Sequence, residues 1–578
     1  MQPETSRRTF VKGLAAAGIL GGLGLWRTPV WAITSPGEAH VLAGTDFDLF
    51  IGETPVNITG NPRTAMTING GLPGPLLRWR EGDTVTLRVR NKLNADTSIH
   101  WHGILLPANM DGVPGLSFHG IEPGGMYVYQ FKVRQNGTYW YHSHSGLQEQ
   151  SGVYGPLVID AREPEPFQYD RDYVVMLTDW TDEDAVGLMQ TLKKQSDYYN
   201  YNKRTVGDFI HDVSEKGWDS TVADRKMWAE MKMNPTDLAD VSGATYTYLM
   251  NGQSPDMKWT GIFRPGEKLR LRFINGSAMT YFDVRIPGLK MTVVAADGLH
   301  VKPVSVDEFR IAVAETFDVI VEPTQDAYTL FAQSMDRTGY ACGTLAVKRD
   351  VSAPIPPLDP RPLVTMDDMG MGGMDHGSTG GDMAGMDHSQ MTGMDHSGMA
   401  GMGEMQSHPA TESNNPLVDM QAMSTSPKLD DPGLGLRDNG RRVLTYSDLR
   451  STFEDPDGRD PGRTIELHLT GHMEKFAWSF NGVKFSDAEP LRLKYGERVR
   501  IVLVNDTMMT HPIHLHGMWS DLEDENGQFM VRKHTIDMPP GSRRSYRVTA
   551  DALGRWAYHC HLLYHMEMGM FREVRVEE

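Results

Sequence analysis

Three decapeptides decide how this chain reads: Gly82-Asp-Thr-Val-Thr-Leu-Arg-Val-Arg-Asn91, Gly266-Glu-Lys-Leu-Arg-Leu-Arg-Phe-Ile-Asn275 and Gly496-Glu-Arg-Val-Arg-Ile-Val-Leu-Val-Asn505. Each opens on Gly plus an acid, alternates apolar residues and ends on Asn. Val85, Leu87 and Val89, then Leu269, Leu271 and Phe273, then Val499, Ile501 and Leu503 occupy one face of each. Period-two alternation bounded by Gly turns predicts half-buried strands of a β-sandwich. One plan met three times predicts three copies of one unit.

The plan continues past each Asn. Nine and eleven residues on, the first copy carries His100 and His102 and the third His514 and His516, where the middle copy has Val284 and Ile286. In a closing block, Gly137-Thr-Tyr-Trp-Tyr-His142-Ser143-His144 matches Gly554-Arg-Trp-Ala-Tyr-His559-Cys560-His561. The middle copy offers Gly339-Tyr-Ala-Cys342-Gly343, without histidines. An all-β chain is expected, with homologous β-sandwich domains at about 35–163, 164–350 and 440–578, and ligands in the outer two only. Residues 181–240 carry helical signals, such as Asp224 to Met233 stopped by Asn234-Pro235, and read as an insertion in domain 2. Residues 351–439, low in aromatics and rich in Gly, Met, Asp and Pro, read as a disordered linker before domain 3.

In a strand, residues i and i+2 face the same way. Each His-x-His therefore presents two imidazoles to one side, half of a metal site. The four pairs are His100/His102, His142/His144, His514/His516 and His559/His561. If domains 1 and 3 meet face to face, these eight imidazoles converge at the interface and suit three coppers with positions open for O2. The Cys560 side chain points to the opposite face of its strand. His511, three residues before His514, and His565, five after Cys560, complete a His2Cys set, with Met570 the expected axial ligand and Met566 and Met568 its rivals. That set is the signature of a blue-copper electron-transfer site. Ser143 replaces the cysteine in domain 1, so domain 3 alone can hold this site. An electron taken at Cys560 is one residue from His559 and His561. Cys342, the other cysteine, reads as an inert buried thiol.

Composition sets the setting. Hydrophobic residues at 39% and charged residues at 23% fit a soluble globular protein, and a formal net charge of −19 argues against nucleic acid as a partner. Ser6-Arg7-Arg8-Thr9-Phe10-Val11-Lys12 precedes a Gly-rich apolar run, Gly13 to Leu25, too short to span a bilayer stably. Residues 1–32 read as a removable signal for the twin-arginine translocase, leading to the periplasm, with an ordinary secretory signal as the alternative.

His-Trp-His-Gly at 100–103, His-Ser-His at 142–144, His-Pro-Ile-His-Leu-His at 511–516 and His-Cys-His-Leu-Leu-Tyr-His at 559–565 resemble the signature blocks of multicopper oxidases. The resemblance implies cupredoxin-like Greek-key domains and four coppers. It places type 1 copper on His511, Cys560, His565 and Met570, and type 2 on His100 and His514. The type 3 pair falls to His102, His142, His144, His516, His559 and His561. Within the family the chain is most similar to periplasmic copper-resistance oxidases. Asp111 stands where those enzymes keep an acid for the proton relay to O2; read alone, it is a turn residue before Gly112. Some cuprous oxidases place a carboxylate directly after the type 1 histidine, where this chain has Met566; Glu567 follows as the second candidate acid.

From Met366 to Met405 the motif Gly-Met-Asp-His recurs at 373–376, 385–388 and 393–396. Thioether sulfur selects Cu(I), so this segment is expected to capture copper. Met227, Met231 and Met233 read equally as core or as a Cu(I) path. The expected reaction is oxidation of Cu(I) with electrons passed to O2. The alternatives are a laccase-like phenol oxidase and a copper-sequestering protein; an open cleft over His511 and His565 would favour the phenol oxidase, and a cover of Met side chains would favour Cu(I).

Overall fold

The structure is a computed structural model that describes residues 40–372 and 406–578. The signal at 1–32 and the three Gly-Met-Asp-His repeats lie outside the described residues.

Each decapeptide forms a strand: Thr84–Asn91, Leu269–Asn275 and Arg498–Asn505. Each pairs in parallel on one side, with Asp46–Val56, Arg171–Thr181 and Arg463–His472 respectively. On the other side each pairs antiparallel, with Met126–Lys132, Thr316–Val321 and Arg543–Thr549. The repeated terminal Asn has one job three times over. Its amide N–H groups donate to two carbonyls, Ala95 and Ile121, Thr280 and Ile311, or Met509 and Met538. Its side-chain oxygen accepts from the backbone N–H two residues on, at Leu93, Ser277 or Thr507. This buried clamp fixes where the chain leaves one sheet and starts the next strand, which is why ligands recur at constant offsets from it.

A five-stranded sheet closes each core. In the first copy Gly137–His142 pairs antiparallel with His100–His102, and in the third Gly554–Cys560 pairs with His511–Leu515. Their counterpart in the middle copy is Ala327–Ser334, which pairs with Phe282–Arg285. The expected equivalence of Gly339–Gly343 is thus one strand off, since Tyr340–Ala346 corresponds to Phe571–Glu577 of the third copy. Gly339-Tyr-Ala imitates the Gly-aromatic start of the closing block, but Ala327-Tyr-Thr-Leu-Phe occupies its place.

The second decapeptide is buried on both faces, not one. Its polar face, Arg270 and Arg272, lies against the first copy. Arg270 pairs with Asp318 at 2.6 Å and Glu165 at 2.7 Å, and Arg272 donates to Thr138 at 3.0 Å. Gly137 meets the Gly298 backbone so closely that a Cβ there would lie 1.9 Å from the carbonyl oxygen. On the other side Asp297 accepts from the backbone N–H groups of His534 and Thr535 and pairs with Lys533 at 2.9 Å. The middle copy thereby holds the two outer copies in one arrangement.

The insertion contains helices Ala185–Lys194, Val206–Lys216 and Trp218–Glu230. Leu188, Leu192 and Trp228 bury their side chains. The last helix starts earlier than expected and ends before Lys232, whose φ of 57° breaks it. Met233 is buried, and Met227 and Met231 pack half-buried against the core. The linker reading needs correction at both ends. Residues 351–372 and 406–439 carry no named strand or helix, yet Val364, Met369, Met420, Leu429 and Leu436 are buried. Gly370 O accepts from Met423 N and Ser424 N, joining the two ends. A few aliphatic and thioether side chains suffice to dock a strap without aromatics.

Candidate metal centre

The paired strands of the outer copies bring all eight His-x-His imidazoles together. Rings from the two copies meet at centroid distances of 3.9 Å for His100 and His516, 3.8 Å for His102 and His514, 4.9 Å for His142 and His561, and 5.0 Å for His144 and His559. All are buried except His144, which is half-buried. Burial, reinforced by neighbouring imidazoles, holds His102, His142, His144, His514, His516 and His561 well below the ordinary histidine range. Burial also takes His559 down to about 3. Neutral imidazoles are the form that binds metal.

Fixed acceptors decide which nitrogen faces inward. Nδ1–H of His100 donates to Asp111 O at 2.8 Å, that of His514 to His534 O at 2.5 Å, and that of His559 to Cys560 O at 2.9 Å. Nδ1 of His516 lies 2.8 Å from Asp111 Oδ2, and Nδ1 of His142 lies 2.5 Å from Glu149 Oε2. In these five rings the Nε2 lone pairs therefore point to the centre. Nε2 of His100, His102, His142, His144, His514 and His561 is buried without a hydrogen-bond partner, and Nε2 of His516 and His559 stand 3.0 Å apart. Lone pairs buried without a donor are costly unless a cation lies among them. The donor set fits copper, for which imidazole is a suitable ligand.

On the far side of the Gly554–Cys560 strand, Cys560 Sγ lies 3.5 Å from His511 Nδ1 and 3.9 Å from His565 Nδ1, and the two nitrogens are 3.1 Å apart. Both Nε2 atoms are occupied, at Thr507 Oγ1 (2.7 Å) and Asp240 Oδ2 (2.7 Å), so two Nδ1 lone pairs and a sulfur converge. Burial pushes the Cys560 thiol well up, so a thiolate here calls for a bound cation. Met570 is buried; its N–H donates to His565 O and its carbonyl accepts from Cys560 N–H. Its rivals Met566 and Met568 are half-buried. Trp478 stacks on His565 at 3.8 Å, and His511 and His565 are 0% exposed, so among the described residues no open cleft lies over them.

Asp111 is buried with one oxygen on His516 and the other 3.3 Å from His100 Nδ1, inside the cluster. Glu567 is not: it is exposed, with no hydrogen bond to any cluster imidazole among the described residues. Three contributors carried no signal that spacing could reveal. Glu149, against His142, has its carboxyl pushed well up by burial and by Asp179. His534 sits 4.7 Å from His102, centroid to centroid, with Nε2 unpartnered. Asp240, at the end of the helical insertion with φ 54°, reaches back to His565. Cys342 is buried on Tyr340–Ala346, and burial raises its thiol to about 11, as suits an inert group.

Multicopper oxidase family models match residues 51–164, 171–350 and 458–578. The chain is 79% identical to a copper resistance protein A homolog of Pseudomonas syringae pv. tomato, and 73% identical to copper resistance protein A of Escherichia coli. Both matches cover all of each chain. Among solved structures, a multicopper oxidase of Campylobacter jejuni described as a metallo-oxidase superposes with a TM-score of 0.55 at 18% identity, over 94% of this chain and 96% of that one. At that identity the likeness speaks for the fold.

Proposed function

The chain belongs to the multicopper oxidase family, and on that premise we propose that it oxidises Cu(I) in the periplasm, as a copper-resistance enzyme, at the expense of O2. Electrons and protons balance as four Cu(I), one O2 and four protons giving four Cu(II) and two waters. In this reading His511, Cys560, His565 and Met570 would hold type 1 copper. His100 and His514 hold type 2, and His102, His142, His144, His516, His559 and His561 hold the type 3 pair. Bound copper supplies one-electron oxidation beside Cys560 and four-electron reduction of O2 at the imidazole cluster.

The observation that carries the proposal is the single strand Gly554–Cys560 and its continuation, which gives Cys560 to one site and His559 and His561 to the other. Storage of metal would need no such bond path. Asp111 orients His516 and can hand on a proton; Glu149, its carboxyl raised by burial and set against His142, is placed to serve as a second relay acid. Substrate choice follows from what covers His565. Phenols need an open face, whereas here Trp478 and Asp240 seal the ring. Met233 and Asp237, which shortly precede Asp240 in the chain, line a cavity of about 390 Å³ together with Asp197, Met473, Glu474, Lys194 and Lys232. Thioethers with carboxylates suit a small soft cation better than an aromatic ring. The paired arginines near the N-terminus support export by the twin-arginine translocase.

The test is Cys560→Ser in copper-loaded protein. We expect four coppers and an intense blue thiolate absorption in the wild type, with loss of the blue band and of O2 uptake in the variant and most cluster copper retained. A variant that stays blue would sink the ligand assignment.

A further inference from the structure

We propose that His408, Glu412, His468 and Asp506 form an additional metal site that takes one divalent cation of the Cu²⁺ or Zn²⁺ class. His408 and Glu412 come from the strap that follows the Met-rich segment. His468 is on strand Arg463–His472, and Asp506 follows strand Arg498–Asn505. One ligand atom from each lies within 4.8 Å of the other three. His468 Nδ1 is 2.6 Å and His408 Nδ1 3.2 Å from Asp506 Oδ2. Glu412 stands 3.4 Å from His408 Nδ1 through one oxygen and 3.7 Å from His468 Nδ1 through the other. Glu412, His468 and Asp506 are 3%, 1% and 0% exposed.

The outer contacts are those a metal site needs. His408 Nε2–H donates to Ala422 O at 3.0 Å and His468 Nε2–H to Glu466 Oε1 at 3.3 Å, so each ring turns Nδ1 inward. Asp506 Oδ1 accepts from Ala422 N–H and Glu412 Oε2 from Gln421, leaving Oδ2 and Oε1 facing the rings. Glu412 Oε1 and His408 Nδ1 are buried without a hydrogen-bond partner. Histidines held from behind by a carboxylate or a carbonyl are the usual outer shell of a bound cation. Two imidazoles and two carboxylates, with no sulfur, select Zn²⁺ or Cu²⁺ over Cu⁺.

Without metal, protons do the same work. Burial opposes charge on His408, but the neighbouring carboxylates of Asp506 and Glu412 outweigh it and push the group up to about 10; His468 is raised in the same way by Asp506. A divalent cation binds the imidazoles in their neutral form and so competes with protons, and its affinity should rise with pH. The site would pin the strap to the turn that carries Thr507, whose hydroxyl holds His511.

The test uses the full-length, copper-loaded protein. ZnCl2 and CuSO4 are titrated separately in calorimetry, with metal analysis after desalting, for the wild type, Glu412→Gln and His468→Gln. The account predicts one equivalent more in the wild type than in either variant, an unchanged blue band, and proton release on binding. Affinity should fall by roughly tenfold or more in Glu412→Gln, at least what loss of an outer partner costs. If Cu²⁺ is the occupant, an additional N,O-ligated paramagnetic signal appears that survives Cys560→Ser and is absent from Glu412→Gln. Equal stoichiometry and affinity for both ions in the wild type and the two variants, with the blue band intact, would overturn the site and leave the oxidase reading untouched.

Discussion

Replacing Asp111 separates two jobs that one carboxylate does. Its Oδ2 is 2.8 Å from His516 Nδ1, its backbone carbonyl holds His100, and it is 1% exposed. Asp111→Ala strands the buried His516 Nδ1–H, a loss of about 1–3 kcal/mol. It also removes an outer partner of a metal ligand, which lowers metal affinity by roughly 10–100-fold. Asp111→Asn differs: the amide oxygen accepts the same hydrogen bond, so His516 keeps its tautomer and copper content holds. What the amide cannot do is release and regain a proton. Proton transfer by a positioned acid contributes about 10²–10⁴ in rate, so O2 turnover should fall by that order in the Asn variant. The assay is stopped-flow in two halves: anaerobic reduction of the blue band should match wild type, while reoxidation by O2 should slow. An Asn variant that reoxidises as fast as wild type would refute the proton role and reduce Asp111 to a tether for His516.

Two other perturbations probe the strap and the clamp between copies. Deleting residues 373–405 should leave the fold intact and lower Cu(I) turnover only at low Cu(I), measured as O2 uptake against Cu(I) concentration; a cut starting at Met366 should also destabilise, because Met369 is buried. Lys533→Met should cost about 3–5 kcal/mol, the penalty of leaving Asp297 and Glu315 buried without their partner. Those carboxylates lie 2.9 and 3.0 Å from Lys533 Nζ, so the loss should register as a lower denaturation midpoint in chemical unfolding.

The repeat was legible because one buried side chain sets it. Asn91, Asn275 and Asn505 make equivalent hydrogen bonds, and the ligand strands start at fixed distances beyond them. Local periodicity also exposed the face on which each His-x-His lies. It could not show that Arg270 and Arg272 are buried, because the polar face of that strand meets another copy rather than water. Asp240, Glu149 and His534 lie in irregular or polar stretches and reach the metal ligands only through tertiary contact. The composition of the linker conceals its packing for a related reason. Few apolar residues are spread along 351–372 and 406–439, but the sheets already present a surface on which they can dock. His408, inside the stretch 351–439 that composition marks as a linker, packs with His468 and Asp506.

The central claim is that Cu(I) is the electron donor, and steady-state O2 uptake tests it on one purified, copper-loaded sample supplied with Cu(I) or with a small phenol. The account predicts brisk uptake with Cu(I), four Cu(I) consumed per O2 without hydrogen peroxide, and slow uptake with the phenol because His511 and His565 are covered. Rapid phenol oxidation with no Cu(I)-dependent uptake would contradict it.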